Sequence, residues 1–176
     1  MTSLLGISGS LRAGRYNSML VREAARIFQP DEFVFADLNL PLFDDDLEAK
    51  GTPAPVQKLI DQIWAADAIV VSTPEYNKAP SGVIKNALDW VSRPRPAPMV
   101  GKPVAVMSAA DGYAGGQRST FAFYLMLVAF QVKLVNHPEV NVGNASSKFD
   151  PEGCLTDERA LPALEKQMEA LRAAIS

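Results

Sequence analysis

The order of hydrophobic and polar residues along the chain predicts five strands that alternate with five helices. The strands are short apolar or β-branched runs at about 3–7, 32–37, 68–71, 103–107 and 133–142, the last of them interrupted by Pro138. The helices carry apolar residues every three or four positions, at about 17–28, 56–64, 83–91, 117–130 and 156–175. Asn17 is predicted to cap the first helix, and Pro30 prevents its continuation.

This alternation predicts the class of fold. Strands that alternate with helices form a parallel sheet with right-handed crossovers and with helices on both faces. For five strands, the doubly wound solution is the flavodoxin-like order 2-1-3-4-5. We therefore expect an α/β protein whose 176 residues form one domain.

The composition fits such a domain and argues against other classes of protein. Hydrophobic residues make up 48% of the chain and charged residues 21%, which is ordinary for a globular protein. A net charge of −3 argues against nucleic acid and acidic membranes as partners. The single cysteine, Cys154, excludes an internal disulfide, and no apolar run is long enough to cross a membrane. These features predict a soluble cytoplasmic protein.

The predicted fourth helix is unusual because apolar residues surround it. Its apolar residues are Phe121, Phe123, Tyr124, Leu125, Met126, Leu127, Val128 and Phe130. A helix that is apolar on every side must be covered on every side. Either this helix is buried in the core, or a second copy of the same helix covers it. We expect the second arrangement, which makes the protein a homo-oligomer.

Three loops follow the carboxyl ends of predicted strands and are candidates for a binding site. The first loop spans Ser8–Tyr16, the second Thr73–Pro80 and the third Ser108–Gly116. In open α/β sheets, ligands bind beyond the carboxyl ends of the strands, where the strand order reverses. These loops are richer in functional residue types than the turns at the opposite edge. We therefore expect one ligand to lie across all three loops.

The first loop has the composition of an anion site. It combines glycines, hydroxyls and guanidinium groups with the preceding strand: Gly6, Ser8, Gly9, Ser10, Arg12, Gly14 and Arg15. Glycines let backbone N–H groups converge, and a helix start adds N–H donors with a partial positive charge, so this loop favours a phosphate. The loop matches neither the Walker motif nor the G-x-G-x-x-G dinucleotide motif. An ordinary turn between a strand and a helix is the alternative.

The other two loops suit a flat ring. The second loop places a rigid residue, a carboxylate, an aromatic ring and an amide in sequence: Pro74, Glu75, Tyr76 and Asn77. Tyr76 can lie against a planar ring while backbone groups bind the polar edge of that ring. In the third loop, glycines that follow Ser108 let the backbone approach a ligand closely. Each segment taken alone is equally consistent with a simple turn.

Three stretches of the sequence resemble a known family. GSLRAGRYN at 9–17, PEYNKAPSGVIKNALDW at 74–90 and SAADGYAGGQR at 108–118 resemble the NADPH-dependent FMN reductase family, which includes quinone, chromate and azo-dye reductases. The resemblance covers nearly the whole chain. It implies a flavodoxin-like fold, FMN bound without a covalent link, and a homodimer or homotetramer. It also implies the transfer of two electrons from NADPH or NADH to a small-molecule acceptor.

The same resemblance assigns cofactor-binding residues in the three loops. They are Ser10, Arg12, Tyr16, Asn17, Pro74, Glu75, Tyr76, Asn77, Ser108, Gly112 and Gly116. Among them Ser10, Arg12 and Asn17 are assigned to the FMN phosphate, and the residues of the second and third loops to the ring. The resemblance implies no catalytic side chain and no metal, because the cofactor itself does the chemistry. For Glu75 we expect a role in the shape of the loop or in a hydrogen bond.

The chain departs from the family pattern at two places. Arg15 stands where the family usually has a serine, and the residues at 78–82 replace a serine followed by an isoleucine-proline-glycine run. The second departure leaves the choice of acceptor open. Four arginines are candidates for the 2′-phosphate that distinguishes NADPH from NADH: Arg15, Arg93, Arg95 and Arg118. Two other functions stay open, a non-catalytic flavin carrier and an enzyme that acts on a phosphorylated metabolite without flavin.

Overall fold

A parallel sheet between two layers of helices organises the chain. The computed structural model describes residues 1–12 and 15–175, and over these residues it contains five strands and six α-helices. The strands are β1 (Ser3–Ser8), β2 (Glu32–Phe35), β3 (Ala68–Ser72), β4 (Pro103–Ala109) and β5 (Lys133–Val142). Every pair of neighbouring strands is parallel, and the order is β2-β1-β3-β4-β5. The predicted class of fold and the predicted strand order are confirmed.

The helices agree with the predicted pattern except for one additional turn. They are α1 (Tyr16–Phe28), α2 (Asp45–Glu48), α3 (Ala54–Ala65), α4 (Gly82–Val91), α5 (Gln117–Leu127) and α6 (Ala160–Ala173). The single turn of α2 lies in the stretch that we predicted to be an irregular connection. The Asp44 carboxylate accepts a hydrogen bond from the Leu47 N–H at 2.8 Å and so caps this turn.

The start of α6 differs from the prediction. We expected the helix to begin at Thr156 or Asp157, but it begins at Ala160. The cause is Pro162, which has no N–H and fits only the first turn of a helix. Asp157 still stabilises this end, because its carboxylate accepts a hydrogen bond from the Ala160 N–H at 2.7 Å.

Two hydrophobic clusters cover the two faces of the sheet. On one face, residues of α3, α4 and α5 such as Ile63, Trp90 and Phe123 pack against the sheet. On the other face, α1 and α6 contribute residues such as Phe28 and Leu164. Because β3 lies in the middle of the sheet, all its residues are buried, as its uninterrupted apolar sequence predicts.

The outer strand β5 is continuous in its backbone but not in its pairing. Val135 pairs with Ala105, and the next pair joins Val140 to Met107. The segment 136–139 therefore leaves the ladder with β4. This break contains Pro138, the residue at which we predicted an interruption, since proline has no N–H to donate to a ladder.

The apolar helix α5 is covered on one side only. Phe123 and Leu127 are buried against the sheet. Phe121, Leu125 and Val128 lie on the exposed side, and Leu125 is 76% exposed. Since α5 ends at Leu127 and continues as a 3-10 turn, Val128–Phe130, Val128 belongs to that turn. Among the described residues, no helix is both long enough and apolar enough to span a membrane.

Candidate functional site

The three candidate loops meet at the carboxyl ends of β1, β3 and β4. The Gly9 N–H donates to the Ser72 carbonyl at 2.8 Å, and the Ser81 hydroxyl donates to the Gly9 carbonyl at 2.7 Å. A Cβ atom at Gly9 would lie 2.7 Å from Ile84 Cγ1, so only glycine lets the first loop pack this closely. These contacts hold the first loop directly against the second.

The Asn17 side chain joins the ends of β3 and β4. This side chain is buried, with only 4% of the residue exposed. The amide donates to the Ala109 carbonyl at 2.9 Å and accepts from the Ala109 N–H at 3.0 Å. Its oxygen also accepts from the Ser72 hydroxyl at 2.8 Å. One side chain in α1 thus connects β3 with β4.

This geometry corrects the predicted role of Asn17 at the helix start. The N-cap of α1 is Arg15, so the prediction that Asn17 caps the helix is wrong by two positions. The reason is that its amide hydrogen-bonds to the two strands instead of to the helix N–H groups. Any contribution of Asn17 to a bound phosphate is therefore left to its backbone N–H.

The first loop keeps the features of an anion site. The first turn of α1, which is described completely, contains no acidic residue, and its N-cap makes no side-chain hydrogen bond to the helix. The Ser8 hydroxyl lies 3.3 Å from the Ser10 N–H and 3.0 Å from the Ser18 hydroxyl. Arg12 is exposed. Gly14, one of the glycines that we predicted to let backbone N–H groups converge, lies outside the described residues.

Tyr16 lies at the end of the first loop, and its ring packs against the segment between β5 and α6. Its ring stacks on Phe149, with 6.1 Å between the ring centroids and an angle of 13° between the planes. Phe149 belongs to the segment between β5 and α6. The ring of Tyr16 therefore helps to hold that segment beside the first loop.

The second loop is a tight hairpin. Tyr76 and Ala79 exchange two backbone hydrogen bonds, at 2.9 and 3.1 Å. The two residues between them, Asn77 and Lys78, both have positive φ, at 52° and 66°, which is the pattern of a type I′ turn. The turn exposes Tyr76, of which 56% is accessible, together with Asn77 and Lys78.

Glu75 fixes the second loop to α5. One carboxylate oxygen accepts from the Arg118 N–H at 3.2 Å, and the other lies 3.4 Å from the Arg118 guanidinium. A carboxylate at the start of a helix is stabilised by the unpaired N–H groups and by the helix dipole. Glu75 therefore shapes its loop, in agreement with the role expected from the sequence.

Ser108 and Gly116 lie close together at the two ends of the third loop. The buried Ser108 hydroxyl donates to the Thr73 carbonyl at 2.7 Å. Gly116 has a φ of 86°, and a Cβ atom there would lie 2.0 Å from the Ser108 hydroxyl oxygen. Both residues were predicted to line the ring, and this stays a prediction; the hydrogen bond of Ser108 holds the second loop against the end of β4. Gly112 faces open space, with no atom within 4 Å of an added Cβ.

The sequence interpretation missed two hydroxyl groups that hold the second loop. Besides donating to Gly9, Ser81 caps α4, since its hydroxyl accepts from the Ile84 N–H at 3.3 Å. The buried Ser119 hydroxyl donates to the Pro74 carbonyl at 2.9 Å. A serine just before a helix is a recognisable capping signal for Ser81, but the sequence contains no comparable signal for Ser119.

The candidate arginines are not equivalent. Arg93 and Arg95 follow α4, which runs antiparallel to the strands, so they lie at the opposite edge of the sheet. Arg93 is also paired with Glu48 at 2.8 Å, and Arg118 with Glu75. Arg15 alone of the four lies in the first loop. The geometry argues against Arg93 and Arg95 as ligands of a phosphate at this site.

Comparisons with known proteins show the family of the chain. The family model for NADPH-dependent FMN reductases matches residues 2–147. An NAD(P)H-dependent FMN reductase of Pseudomonas aeruginosa is 42% identical over 171 residues, which is 96% of this chain and 92% of that protein. A quinone reductase of Escherichia coli is 37% identical over 167 residues, which is 92% of this chain and 89% of that protein.

Solved structures show the same likeness. The flavoenzyme NAD(P)H:(acceptor) oxidoreductase FerB from Paracoccus denitrificans superposes with a TM-score of 0.89 and 29% sequence identity. The match covers 99% of this chain and 97% of that one. The fold, the loops at its switch point and the match over most of the sequence lead to one conclusion. The chain belongs to the NADPH-dependent FMN reductase family.

Proposed function

We propose that this protein binds FMN across the three loops and uses it to transfer a hydride from NAD(P)H to a small electron acceptor of the quinone type. The family and its FMN reductase and quinone reductase relatives support this activity. The observation that carries the proposal is that hydrogen bonds join the three loops at the carboxyl ends of β1, β3 and β4. In a doubly wound sheet this is the position at which a flat nucleotide ligand binds.

The first loop fits the phosphate of FMN. Ser10 and Arg12 lie in the loop that leads into α1, whose start carries partial positive charge and unpaired N–H donors. A phosphate dianion is stabilised by such donors, and arginine matches its geometry. Asn17 contributes indirectly, because its amide fixes the start of α1 relative to β3 and β4.

The second and third loops fit the ring. Pro74 is buried, and its carbonyl is held by Ser119, so the backbone of the second loop is rigid where it would meet the polar edge of a ring. Tyr76 offers an exposed aromatic face on one side. Gly112 leaves open space on the other side. When bound there, FMN supplies the centre that accepts and donates the hydride.

The side chains of the site bind and position the cofactor, and none of them needs to transfer a proton. Glu75 lies in the second loop, but its carboxylate is already bound to Arg118 at the start of α5. The exposed hairpin leaves one side of the site open to solvent, so that the nicotinamide donor and the acceptor can use the same surface in turn. This arrangement suits a ping-pong cycle, in which donor and acceptor bind one after the other.

The function is tested by cofactor content and turnover. We expect the purified protein to retain FMN after incubation and gel filtration, and to oxidise NAD(P)H when a quinone is added. Tyr76→Ala is expected to weaken FMN binding about two- to twelvefold, since stacked aromatic pairs contribute about 0.5–1.5 kcal/mol. Trp64→Ala is the control, because Trp64 is also an exposed aromatic residue but lies at the end of α3, at the opposite edge.

Two outcomes would contradict this proposal, one for flavin binding itself and one for the position of the ring. A protein that stays colourless after incubation with FMN would refute flavin binding. Unchanged flavin content together with an unchanged rate in Tyr76→Ala would refute the placement of the ring against Tyr76.

We also propose that the protein is a homo-oligomer, a dimer or a tetramer, formed through the exposed face of α5. The support is the apolar stripe of Phe121, Leu125 and Val128 on one side of that helix and the turn that follows it. Leu125 is 76% exposed, and neighbouring exposed apolar residues on one helix face are typical of interaction surfaces.

The oligomer is tested with a charge in the stripe. We expect the protein to have at least twice its chain mass by light scattering at micromolar concentration, and Leu125→Glu to shift it to the monomer. A carboxylate buried without a partner in an apolar contact is strongly unfavourable, which is the reason for this shift. Leu42→Glu serves as the matched control, because Leu42 is 79% exposed but lies outside α5. A monomeric mass for the unmodified protein would contradict the proposal.

Two broader features complete the proposal. We regard the chain as one FMN-binding domain, because both hydrophobic clusters pack on the faces of the same sheet. We further propose a cytoplasmic location, since a single free cysteine is typical of a reducing compartment.

A further inference from the structure

The segment between β5 and α6, residues 143–159, contacts two of the three loops of the proposed FMN site. It contacts the first loop through the stacked rings of Phe149 and Tyr16. It contacts the third loop through Ser146, whose N–H donates to the Asp111 carboxylate at 2.9 Å. The β5–α6 segment thus connects the loop that fits the phosphate with a loop that fits the ring. Most of the segment lies beyond residue 147, where the match to the family model ends.

The part of the segment that carries Phe149 is closed by its own contacts. Phe149 and Leu155 form an antiparallel bridge, and the Thr156 N–H donates to the Lys148 carbonyl at 2.9 Å. Lys148 forms an ion pair with Asp157 at 2.7 Å. The hydrogen bond from Lys148 lowers the pKa of Asp157, so this carboxylate stays ionised at neutral pH. Because Asp157 also binds the start of α6, Phe149 is held in a loop that is fixed to that helix.

Phe149 also packs against the hydrophobic core. It is partly buried against the cluster on the face of α1 and α6. Leu155, its partner in the bridge, belongs to that cluster and is only 4% exposed. The Phe149 ring therefore connects the core with Tyr16, the first residue of α1. The near-parallel stack of the two rings fixes the side of the helix start.

Tyr16 lies where α1 presents its free backbone donors. The N–H groups of Ser18 and Met19 both donate to the Arg15 carbonyl, at 2.9 and 3.0 Å. The N–H groups of Tyr16 and Asn17 come before this pattern, and the first N–H groups of a helix have no acceptor within the helix. Such groups are the ones that bind a phosphate. A displacement of the Tyr16 ring would therefore move the donors of the phosphate site.

The other end of the segment fixes the third loop. Besides the bond between Ser146 and Asp111, the Ala145 N–H donates to the Ala110 carbonyl at 3.2 Å. Two successive residues of the third loop are thus hydrogen-bonded to two successive residues of the segment. Gly112, which leaves open space for the ring, follows them directly. The segment therefore also sets the position of the loop beside the ring.

We propose that the β5–α6 segment positions FMN, and that Phe149 is the residue that positions the phosphate end. The inference rests on the proposed binding of FMN at the three loops. Phe149 acts through the Tyr16 ring on the start of α1 and needs no contact with the cofactor. The bond between Asp111 and Ser146 acts on the ring end through the third loop. The two contacts of one segment therefore affect different parts of the cofactor.

The test compares FMN with riboflavin, which has the same ring but no phosphate. The protein freed of flavin is titrated with each ligand by calorimetry. Phe149→Leu removes the stacked ring but keeps an apolar side chain on the core, whereas Phe149→Tyr keeps the ring. Phe33→Leu is the matched control, because Phe33 packs against the same hydrophobic cluster but lies in β2. Hydrogen exchange at the start of α1, measured without ligand, is the second readout.

We expect Phe149→Leu to weaken FMN binding about two- to twelvefold, the range for a stacked aromatic pair, and to leave riboflavin binding unchanged. Hydrogen exchange at the start of α1 rises in the same variant. Phe149→Tyr restores both properties, and Phe33→Leu keeps the ratio of the two affinities. Combining Tyr16→Leu with Phe149→Leu weakens FMN binding no more than either change alone, because both remove one contact.

A change at the other end of the segment gives a different result. Asp111→Ala removes the acceptor of the Ser146 N–H. We expect it to weaken FMN and riboflavin by the same factor, about two- to twelvefold for one hydrogen bond, since the two ligands share the ring. Asp111→Asn keeps an oxygen that can accept from Ser146, so it is expected to bind both ligands nearly normally.

Three results would contradict these proposals at separate levels. Equal weakening of FMN and riboflavin in Phe149→Leu, or an additive loss in the double variant, refutes the action of Phe149 on the phosphate end. Unchanged affinities and unchanged hydrogen exchange in Phe149→Leu, together with unchanged affinities in Asp111→Ala, refute the whole inference and leave FMN binding intact. Failure of the unmodified protein to bind FMN refutes the proposed function itself.

Discussion

Replacing Asn17 with alanine is expected to lower the free energy of unfolding by about 3 kcal/mol, since a buried polar group that loses its partner costs about 1–3 kcal/mol. The substitution leaves the N–H and the carbonyl of Ala109 without their bonds to the amide, and the Ser72 hydroxyl without its acceptor. It also frees the start of α1 from β3 and β4. FMN binding is therefore expected to weaken at the same time.

Denaturant unfolding and fluorescence titration with FMN measure the two effects. Asn136→Ala is the control, because Asn136 is exposed on β5, away from the three loops. We expect it to change stability by less than about 0.5 kcal/mol, as is usual for surface positions. An Asn17→Ala protein that is as stable as Asn136→Ala would show that this amide does not hold the strand ends together.

Gly116→Ala is expected to have the second large effect. Its φ of 86° costs an ordinary residue about 1–2 kcal/mol, and the added Cβ would lie 2.0 Å from the Ser108 hydroxyl oxygen. Because that hydroxyl binds the Thr73 carbonyl, the clash displaces the second loop. We expect a total loss of about 3 kcal/mol, within the range of strained or overpacked sites, and weaker FMN binding.

A matched glycine separates strain from clash. Gly101 has a φ of 73° but no atom within 4 Å of an added Cβ. Gly101→Ala is therefore expected to lose only the conformational part, about 1 kcal/mol, and to bind FMN normally. Adding Ser108→Ala to Gly116→Ala removes the clashing oxygen and should recover part of the FMN affinity. Equal losses in the two single glycine variants would contradict the proposed clash.

The fold was predictable because the pattern is strong where the sheet is covered on both faces. The uninterrupted apolar run of β3 has no other stable location, and the helical periods between the strands leave only one regular order. The errors are one helical turn that was missed and one helix start that was placed too early. The turn of α2 depends on the cap at Asp44, and the late start of α6 depends on Pro162. The spacing of hydrophobic residues does not reveal either effect.

The meeting of the three loops was predictable, but the contacts that their side chains make inside the protein were not. Asn17 and Ser108 were each assigned to a ligand, which stays a prediction, and each side chain is buried with a hydrogen-bond partner inside the protein. A polar residue after a strand can face a ligand or the end of the neighbouring strand. Which of the two it faces depends on the positions of the strands in the fold, and the local sequence does not specify those positions. Glu75 was expected to shape its loop or to make a hydrogen bond, and its carboxylate accepts a hydrogen bond from the Arg118 N–H.

The break in the pairing of β5 has a consequence for how the sheet can grow. Edge strands are the positions at which a further strand from another chain can add, and such additions lead to aggregation. Over the described residues, β2 offers only four residues at one edge, and at the other edge the ladder of β5 with β4 is broken over 136–139 into two pieces of three residue pairs. Pro138 adds to this protection, because it has no N–H to offer an incoming strand. Self-association by strand addition is therefore disfavoured at both edges, whereas the surface of α5 has no such safeguard.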